Sequence, residues 1–401
     1  MNPTPRSYRL GILLGDGIGP EIVPAAVEVM DAAVAAAGAA PIEWVTLPLG
    51  AAAIETHGSA LPPATLETLG ELDGWLLGPH DSAAYPEPHR SELNPSGAIR
   101  KHFDLYANIR PARSFDDRGT DLVVVRENTE GFYADRNTFA GTGEYMPTKD
   151  VAIAMGVFTR PAIERIAREA FELAKRRRKH LTVVHKANVL RVSTGMFLAI
   201  CREIAAEYPE VEVDDFHIDA MTVHLVRRAA DFDVLVTENM FGDILSDLAG
   251  ELAGSLGIAP SVNASAERAM AQAAHGSAPD IAGRDLANPT AMIGSGGMLL
   301  DWLGRRCDDP AATKAAQLVD EALFTTIRSG VCTRDLGGTA GTAEFGSAVA
   351  KAIVSGGGES GAAPEAAGFA AANASVSESV AAASAGSAVA DASTGGSAGA
   401  V

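Results

Sequence analysis

Short apolar segments alternate with helix-like segments before residue 355, and this alternation limits the possible folds more than any other feature of the chain. Five apolar segments have the length and residue types of β-strands: residues 8–14, 74–78, 121–125, 181–184 and 233–237. Between the third and the fourth, Thr159 is a candidate N-cap for a helix with an apolar stripe from Ile163 to Ala174. Strands separated by helices predict an α/β fold with a substantially parallel sheet.

Composition excludes several classes of function. The 401 residues include 32 Lys and Arg against 51 Asp and Glu, a net charge of −19. We expect no broad electrostatic binding of nucleic acid or of an anionic membrane by so acidic a protein. No segment reaches the roughly 18 apolar residues that a membrane helix needs. We therefore expect a soluble protein. The three cysteines are far apart, which argues against a zinc ribbon or disulfide framework and favours the reducing cytoplasm.

The composition changes near the end of the chain. Residues 355–401 are almost wholly Gly, Ala, Ser and Val. Because such side chains cannot bury enough apolar area to offset the entropy of ordering, we expect a disordered tail. The folded body then has about 350 residues, which is enough for two domains.

A glycine-rich segment, GDGIGPE at residues 15–21, connects the first predicted strand to the first predicted helix. Backbone amides at such a junction can approach a ligand. The segment lacks the GxGxxG spacing and the lysine of a phosphate-binding loop. Taken alone, it favours a simple turn between strand and helix.

Three arginines form the most informative group. Arg100 and Arg110 lie in RKHFDLYANIRP, and Arg126 lies in RENTEGFY directly after an apolar strand. The α/β folds bind ligands at the carboxyl ends of strands, and guanidinium groups bind carboxylates through paired hydrogen bonds. Surface salt bridges would explain any one arginine. Three together, beside Tyr133, favour capture of a carboxylate substrate.

Two aspartates four residues apart, Asp243 and Asp247 in NMFGDILSD, would share one face of a helix. Hard oxygen ligands of this kind favour Mg²⁺ or Mn²⁺. A helix N-terminus that favours acids would explain Asp243 as well, so spacing leaves both interpretations open. Asp219 is a plausible third ligand, although spacing does not show that it meets the other two.

Lys186 stands at the carboxyl end of a predicted strand, in HKANVL. A metal and arginines nearby would lower the pKa of its amine enough for it to act as a base. An ordinary exposed lysine is the alternative.

A Gly- and Pro-rich loop, HGSAPDIAG from His275, is followed by Asn288 in NPT. Loops of this length are often functional. An acid such as Asp280 suits ribose hydroxyls and would repel a 2′-phosphate, so a dinucleotide bound here would be NAD rather than NADP.

Taken together, these motifs resemble those of the isocitrate and isopropylmalate dehydrogenase family of metal-dependent, β-decarboxylating dehydrogenases. The resemblance runs from Arg9 to Val349, through GDGIGPE, RKHFDLYANIRP, RENTEGFY, HKANVL, DAMTVHL, NMFGDILSD and HGSAPDIAG…NPT. It implies an isopropylmalate dehydrogenase-like two-domain α/β fold, distinct from the Rossmann type. Residues 1–98 and 253–354 would form a large cofactor-binding domain, and residues 99–252 a middle domain with the dimer interface.

The resemblance also implies roles for individual residues, in active sites that two subunits of a homodimer share. Arg100, Arg110 and Arg126 would bind the malate-like carboxylates, with Asn94 and Ser96 near the substituent of the substrate. Tyr133, Lys186 and Asp219 would be catalytic, and the last two would come from the partner subunit. Asp219, Asp243 and Asp247 would hold Mg²⁺ or Mn²⁺. NAD would contact Ile18, His275, Gly276, Ser277, Ala278, Asp280, Ile281 and Asn288.

The implied reaction is the NAD-dependent oxidative decarboxylation of a 3-substituted malate, with 3-isopropylmalate first and isocitrate, homoisocitrate or tartrate/malate as alternatives. Isopropylmalate enzymes usually have a leucine where this chain has Ser96, which weakens the isopropyl assignment. The usual Glu-Pro before HGSAP is replaced by Gln272-Ala273-Ala274. A non-catalytic regulatory subunit is the alternative from another class, although Tyr133, Lys186 and the three aspartates are all present.

Overall fold

A ten-stranded mixed sheet organises the chain in the computed structural model, which describes residues 6–133 and 143–356. The predicted disordered tail therefore lies, apart from Ser355 and Gly356, outside the described residues. The described strands are β1 (Arg9–Leu13), β2 (Glu43–Thr46), β3 (Gly74–Leu77), β4 (Ala107–Arg113), β5 (Asp121–Glu127), β6 (Glu144–Thr148), β7 (Val151–Ala154), β8 (His180–His185), β9 (Glu212–His217), β10 (Val234–Thr237), β11 (Val262–Ala264) and β12 (Ala269–Ala271).

Helices cover the sheet and connect most of its strands. Those in the described residues are α1 (Gly19–Ala36), α2 (Ala51–His57), α3 (Pro63–Leu69), α4 (Pro95–His102), α5 (Arg160–Arg176), α6 (Ser193–Ala205), α7 (Ile218–Arg228), α8 (Asn239–Ala253), α9 (Thr290–Arg306), α10 (Pro310–Arg328) and α11 (Thr342–Gly356). None of them is both long enough and apolar enough to cross a membrane.

The strand order in the large sheet is β2-β1-β3-β12-β11-β4-β5-β10-β8-β9. The strands at both ends pair in parallel, as the alternation of strands and helices predicts. At the centre, β11 runs antiparallel to both β12 and β4, and β4 runs antiparallel to β5. The predicted substantially parallel sheet is therefore interrupted at its middle, where β4 brings Arg110 beside β5 and its Arg126. Strands β6 and β7 form a separate antiparallel pair.

Helix α5 shows how local sequence fixes an element. Thr159 caps it, since its hydroxyl accepts a hydrogen bond from the Ala162 N–H at 3.4 Å, and Pro161 occupies the first turn. The predicted apolar stripe is buried against the sheet: Ile163, Ile166, Ala167, Ala170, Phe171 and Ala174. The cap and the buried stripe together determine where α5 begins and which face it turns to the core.

The buried core divides into three clusters of apolar residues. The largest packs α1, α9, α10 and α11 against one part of the sheet and α5 and α6 against another. A second cluster lies entirely between Ala112 and Ala253, and includes α7 and α8. The third contains Trp75 and includes residues of α3 and α4. These clusters hold the ends of the central strands in fixed positions.

Candidate active site

A cavity of about 240 Å³ lies where β3, α4, β4, β11 and β12 converge. Its lining combines residues predicted to bind the substrate with residues predicted to bind the cofactor: Asn94, Ser96, Arg100 and Arg110 from the first group, and His275 and Gly276 from the second. These residues are far apart in the sequence. The fold thus brings the two predicted ligand groups to one cavity.

Amide side chains hold each of the three predicted arginines. The Arg100 guanidinium donates to Gln272 Oε1 at 3.1 Å and to Asn128 Oδ1 at 3.5 Å. Arg110 Nε donates to Asn108 Oδ1 at 2.6 Å, and Arg126 Nε and Nη2 donate to Asn239 Oδ1 at 2.9 and 2.7 Å. An amide oxygen fixes a guanidinium group without cancelling its charge.

Arg126 is only 2% exposed, although it carries a full charge. Its side chain passes directly over Gly242 of α8, where a Cβ atom would lie 2.6 Å from Arg126 Cγ. Glycine at this point of NMFGDILSD therefore leaves the space that the arginine needs. The guanidinium then pairs with Asp243, on the next residue of the helix.

Asp243 and Asp247 share one face of α8, as their spacing predicts, and Arg110 Nη1 lies 3.4 Å from a carboxylate oxygen of each. Tyr133 Oη donates to Asp243 Oδ2 at 2.7 Å. Burial alone would raise the pKa of Asp243, but Arg126 and Arg110 hold it below its ordinary value. The pKa of Asp247 is raised, first by burial and then by the negative charge of Asp243. Arg110 lowers this pKa, but its effect is smaller than that of burial.

This carboxylate pair suits a hard divalent cation in its chemistry, and the two side chains are 35% and 57% exposed, so an ion could reach them. Asp219, the predicted third ligand, is not grouped with them: it lies in the first turn of α7 and pairs with Lys186 Nζ at 2.5 Å, directly after β8. Within residues 6–133 and 143–356, no three His, Cys, Asp or Glu side chains are grouped to hold a metal ion. A single chain therefore brings Asp243 and Asp247 together but not Asp219.

Lys186 follows directly after β8. Its backbone N–H donates to Thr194 Oγ1 at 3.1 Å. The preceding His185 is buried, with Nδ1 accepting from the Ala187 N–H at 3.0 Å and Nε2 donating to Asp215 at 2.9 Å. These bonds fix the backbone on both sides of Lys186, and the Lys186 side chain remains 24% exposed beside Asp219.

The glycine-rich turn and the predicted cofactor loop are in contact. Gly15 and Gly17 adopt positive φ angles of 71° and 57°, which favour glycine. The Ile18 N–H donates to the Ser277 carbonyl at 2.9 Å, and both residues are buried. A turn of this sequence therefore does more than join β1 to α1: it places Ile18 against the loop that begins at His275.

The rest of the predicted cofactor loop combines buried and exposed groups. Gly276 and Asp280 are exposed, Ala278 and Ile281 are partly buried, and Ala278 has a φ of 39°. His275 Nε2 is buried and has no hydrogen-bond partner among the described residues. Burial also lowers the pKa of His275, which favours a neutral imidazole able to hydrogen-bond a ligand. An orphaned polar atom at this place fits a bound dinucleotide.

Asn288 is held rather than free. Its Nδ2 donates to Asp335 Oδ2 at 2.9 Å, and its Oδ1 accepts from the Thr290 N–H at 3.0 Å at the start of α9. The Asp335 carboxylate also accepts from Ser255 and Thr333. Asp335 thus connects the end of the predicted cofactor-binding segment, at Asn288, to the segment after α10.

Sequence reasoning missed several residues that position the predicted ones: Asn108, Asn239, Gln272 and Asp335. Asn108 and Asn239 lie inside motifs that were selected for their charged residues. Their amide side chains, close to those charges in the sequence, were the signal that could have identified them. Gln272 and Asp335 have partners more than 40 residues away, at Arg100 and Asn288. No local pattern reveals such pairs.

Comparisons with known proteins identify the family of the chain. A family model described as isocitrate/isopropylmalate dehydrogenase matches residues 9–349. The chain is 42% identical to the isocitrate/homoisocitrate dehydrogenase of Thermus thermophilus, over 87% of this chain and 99% of that protein. It is 41% identical to the 3-isopropylmalate dehydrogenase of Archaeoglobus fulgidus, over 86% of this chain and 99% of that protein.

A solved structure gives the same result for the fold. The crystal structure of isocitrate dehydrogenase from Methylococcus capsulatus matches with a TM-score of 0.75 and 40% identity, over 86% of this chain and 99% of that one. This likeness confirms the predicted fold class. The protein belongs to the isocitrate/isopropylmalate dehydrogenase family of oxidoreductases.

Proposed function

We propose that the protein oxidises and decarboxylates a 3-substituted malate, with NAD⁺ as hydride acceptor and Mg²⁺ or Mn²⁺ as cofactor. One observation carries the proposal: a single cavity is lined both by Arg100 and Arg110 and by His275 and Gly276. Guanidinium groups suit the carboxylates of such an acid. The predicted nicotinamide cofactor would then lie next to the substrate, as hydride transfer requires.

Two kinds of substituent at C3 of the substrate are proposed. A 3-isopropylmalate-type acid is the first, and curated relatives with that name support it. The second is a polar substituent, as in isocitrate or homoisocitrate. The small acids tartrate and malate are grouped with this second kind, because they carry no apolar substituent. Ser96 and Gln272 favour the second kind, because they form a buried polar wall of the cavity instead of an apolar one.

The residues of the chain would divide the chemistry among them. Arg100, Arg110 and Arg126 would bind and orient the carboxylates. Lys186 would remove the proton of the 2-hydroxyl, directly or through water, and Tyr133 would deliver a proton to C3 after CO₂ leaves. A divalent cation held by Asp219, Asp243 and Asp247 would supply Lewis acidity, and NAD⁺ would accept the hydride from C2.

We also propose the predicted division into domains 1–98 with 253–354 and 99–252, together with a cytoplasmic homodimer that shares its active sites. The core cluster confined to residues between Ala112 and Ala253 supports the middle domain. Free Cys201, Cys307 and Cys332 are consistent with a reducing compartment. The separation of Asp219 from Asp243 within one chain supports completion of the site by a second copy.

The test is NADH formation in the presence of Mg²⁺ with 3-isopropylmalate, isocitrate, homoisocitrate, tartrate and malate. We expect turnover of at least one acid, release of one CO₂ per NADH, and loss of activity on addition of a chelator. Turnover of none of them by purified dimer would contradict the proposal. Binding of an acid or of NAD⁺ without turnover would instead favour a regulatory subunit.

A further inference from the structure

Gln272 connects two elements of the substrate cavity. It follows directly after β12 and is 9% exposed. Its Oε1 accepts one hydrogen bond from Ser96 Oγ at 2.9 Å and another from Arg100 Nη2 at 3.1 Å. Both partners belong to α4, so one side-chain oxygen directly after β12 determines where two residues of that helix point.

The backbone of Gln272 is fixed as well. Its N–H donates to the Ser261 carbonyl at 3.1 Å, and its own carbonyl accepts from Ser261 Oγ at 2.8 Å. Ser261 Oγ in turn accepts from Asn108 Nδ2 at 3.4 Å, and Asn108 Oδ1 holds Arg110 Nε at 2.6 Å. A continuous set of hydrogen bonds therefore runs from Arg100 through Gln272 to Arg110, along one wall of the cavity.

The chemistry of the acceptor matters in this network. A carboxylate at 3.1 Å from Arg100 would form a strong ion pair and compete with an anionic ligand for the same donors. An amide oxygen directs the guanidinium group without placing a negative charge beside it. Arg110 and Arg126 already face the carboxylates of Asp243 and Asp247. Gln272 therefore holds Arg100 without adding a negative charge to this wall of the cavity.

We propose that Gln272 is a positioning residue for substrate binding: it aims Arg100 into the cavity through a neutral acceptor and so determines affinity for the carboxylate substrate. This inference rests on the proposed function, since it needs an acid that Arg100 binds. Gln272 itself would not touch the reacting atoms. Its effect should therefore appear in the KM for the acid rather than in kcat.

The test compares Gln272→Glu, Gln272→Met and Gln317→Glu, each assayed with the acid that wild type turns over best. Gln317 is exposed on α10, so its variant carries the same change of charge away from the site. We expect the KM for the acid to rise about tenfold or more in both Gln272 variants, with kcat and the KM for NAD⁺ changed less than about threefold. Gln317→Glu should match wild type.

The outcomes separate this inference from the proposed function. An unchanged KM for the acid in Gln272→Glu and Gln272→Met, with turnover preserved, would overturn the inference alone. Equal losses for the acid and NAD⁺, together with a lower melting temperature, would assign Gln272 a merely structural role and also overturn it. If one variant fails to fold, the other gives the comparison. No turnover of any acid by wild type would overturn both proposals.

Discussion

Gly17 shows how strongly one residue constrains the proposed cofactor site. It has a φ of 57°, and a Cβ atom there would lie 2.0 Å from the Ser277 carbonyl oxygen. Backbone strain and steric overlap therefore act at the same position. Gly38, after the end of α1, has a similar φ of 71° but nothing within 4 Å of its Cβ position. Alanine substitutions at Gly17 and Gly38 therefore both introduce backbone strain, but only the one at Gly17 adds steric overlap.

We predict that Gly17→Ala raises the KM for NAD⁺ about tenfold or more, whereas Gly38→Ala changes it less than about twofold. The reason is that only the first substitution pushes the glycine-rich turn away from the loop at Ser277. Steady-state kinetics with varied NAD⁺, and melting temperatures of both variants, would check this. Equal kinetic effects in the two variants would show that the contact with Ser277 does not matter for cofactor binding.

Lys186 is the residue on which the proposed proton transfer depends. We predict that Lys186→Ala lowers kcat at least about a thousandfold, because no other group replaces the base, while the fold is retained. Lys314→Ala, an exposed change on α10, is the matched control. The measurements are NADH formation and far-UV circular dichroism. Near wild-type activity of Lys186→Ala would remove this lysine from the mechanism.

Residue types at the site were predictable, but their supporting contacts were not. Arg100 and Asp243 could be selected because charged side chains beside strand and helix ends suggest a ligand. Gln272 is an uncharged residue in an alanine-rich segment, and its partner Ser96 is 176 residues away. A hydrogen bond over that separation depends on strand pairing, which no local pattern in the sequence specifies.

At the scale of elements, the junction between β5 and α5 depends on two buried carboxylates. Glu130 accepts from the N–H and the hydroxyl of Thr159, the N-cap of α5, at 2.9 and 2.8 Å. Glu127 accepts from the N–H groups of Thr129 and Glu130. Burial, with a smaller effect of the Glu127 charge, raises the pKa of Glu130 to about 7. The fold therefore favours protonated Glu130.

The raised pKa of Glu130 determines whether the free energy of unfolding rises or falls with pH. In the unfolded chain Glu130 ionises near 4.5, whereas in the fold it keeps its proton to about pH 7. Its contribution to the free energy of unfolding is present below pH 4.5 and is lost between the two values, by at most about 3 kcal/mol. We predict that Glu130→Gln gains stability over wild type from pH 5 to pH 8.

Urea unfolding of wild type, Glu130→Gln and Glu164→Gln at both pH values would measure the gain. Glu164 lies on the surface of α5, and its side chain is 39% exposed, so its variant should follow wild type. A difference between Glu130→Gln and wild type that stays constant with pH would contradict a raised pKa.

Strands and helices with a strong local pattern were predicted well, and those without one were not. The predicted segment 121–125 became β5, and the stripe from Ile163 to Ala174 became the buried face of α5. Strands β11 and β12 have three residues each, too few to show alternation. Strand β11 runs antiparallel to both of its neighbours, so one reversal of strand direction lies in a segment without a local pattern, and a substantially parallel sheet was predicted.

At the scale of the whole molecule, one chain keeps the proposed catalytic groups in two separate places. Tyr133, Asp243 and Asp247 lie together at the carboxyl end of β5, whereas Lys186 pairs with Asp219. Apolar side chains are exposed on the two helices that carry the aspartates: Val223 and Val226 of α7 are 48% and 63% exposed, and Ile244 of α8 is 52% exposed. A second copy that covers these residues would bring Lys186 and Asp219 to the other group.

A mixing experiment distinguishes shared sites from sites within one chain. Lys186→Ala and Asp247→Ala are each expected to be almost inactive alone. Random pairing of the two in dimers makes half of them mixed. If Lys186 serves the partner's site, each mixed dimer has one intact site and one doubly altered site, so the mixture should recover about a quarter of wild-type activity. If Lys186 serves its own chain, no intact site forms and the mixture stays inactive. Activity after co-refolding of equal amounts, with dimers verified by light scattering, measures the difference.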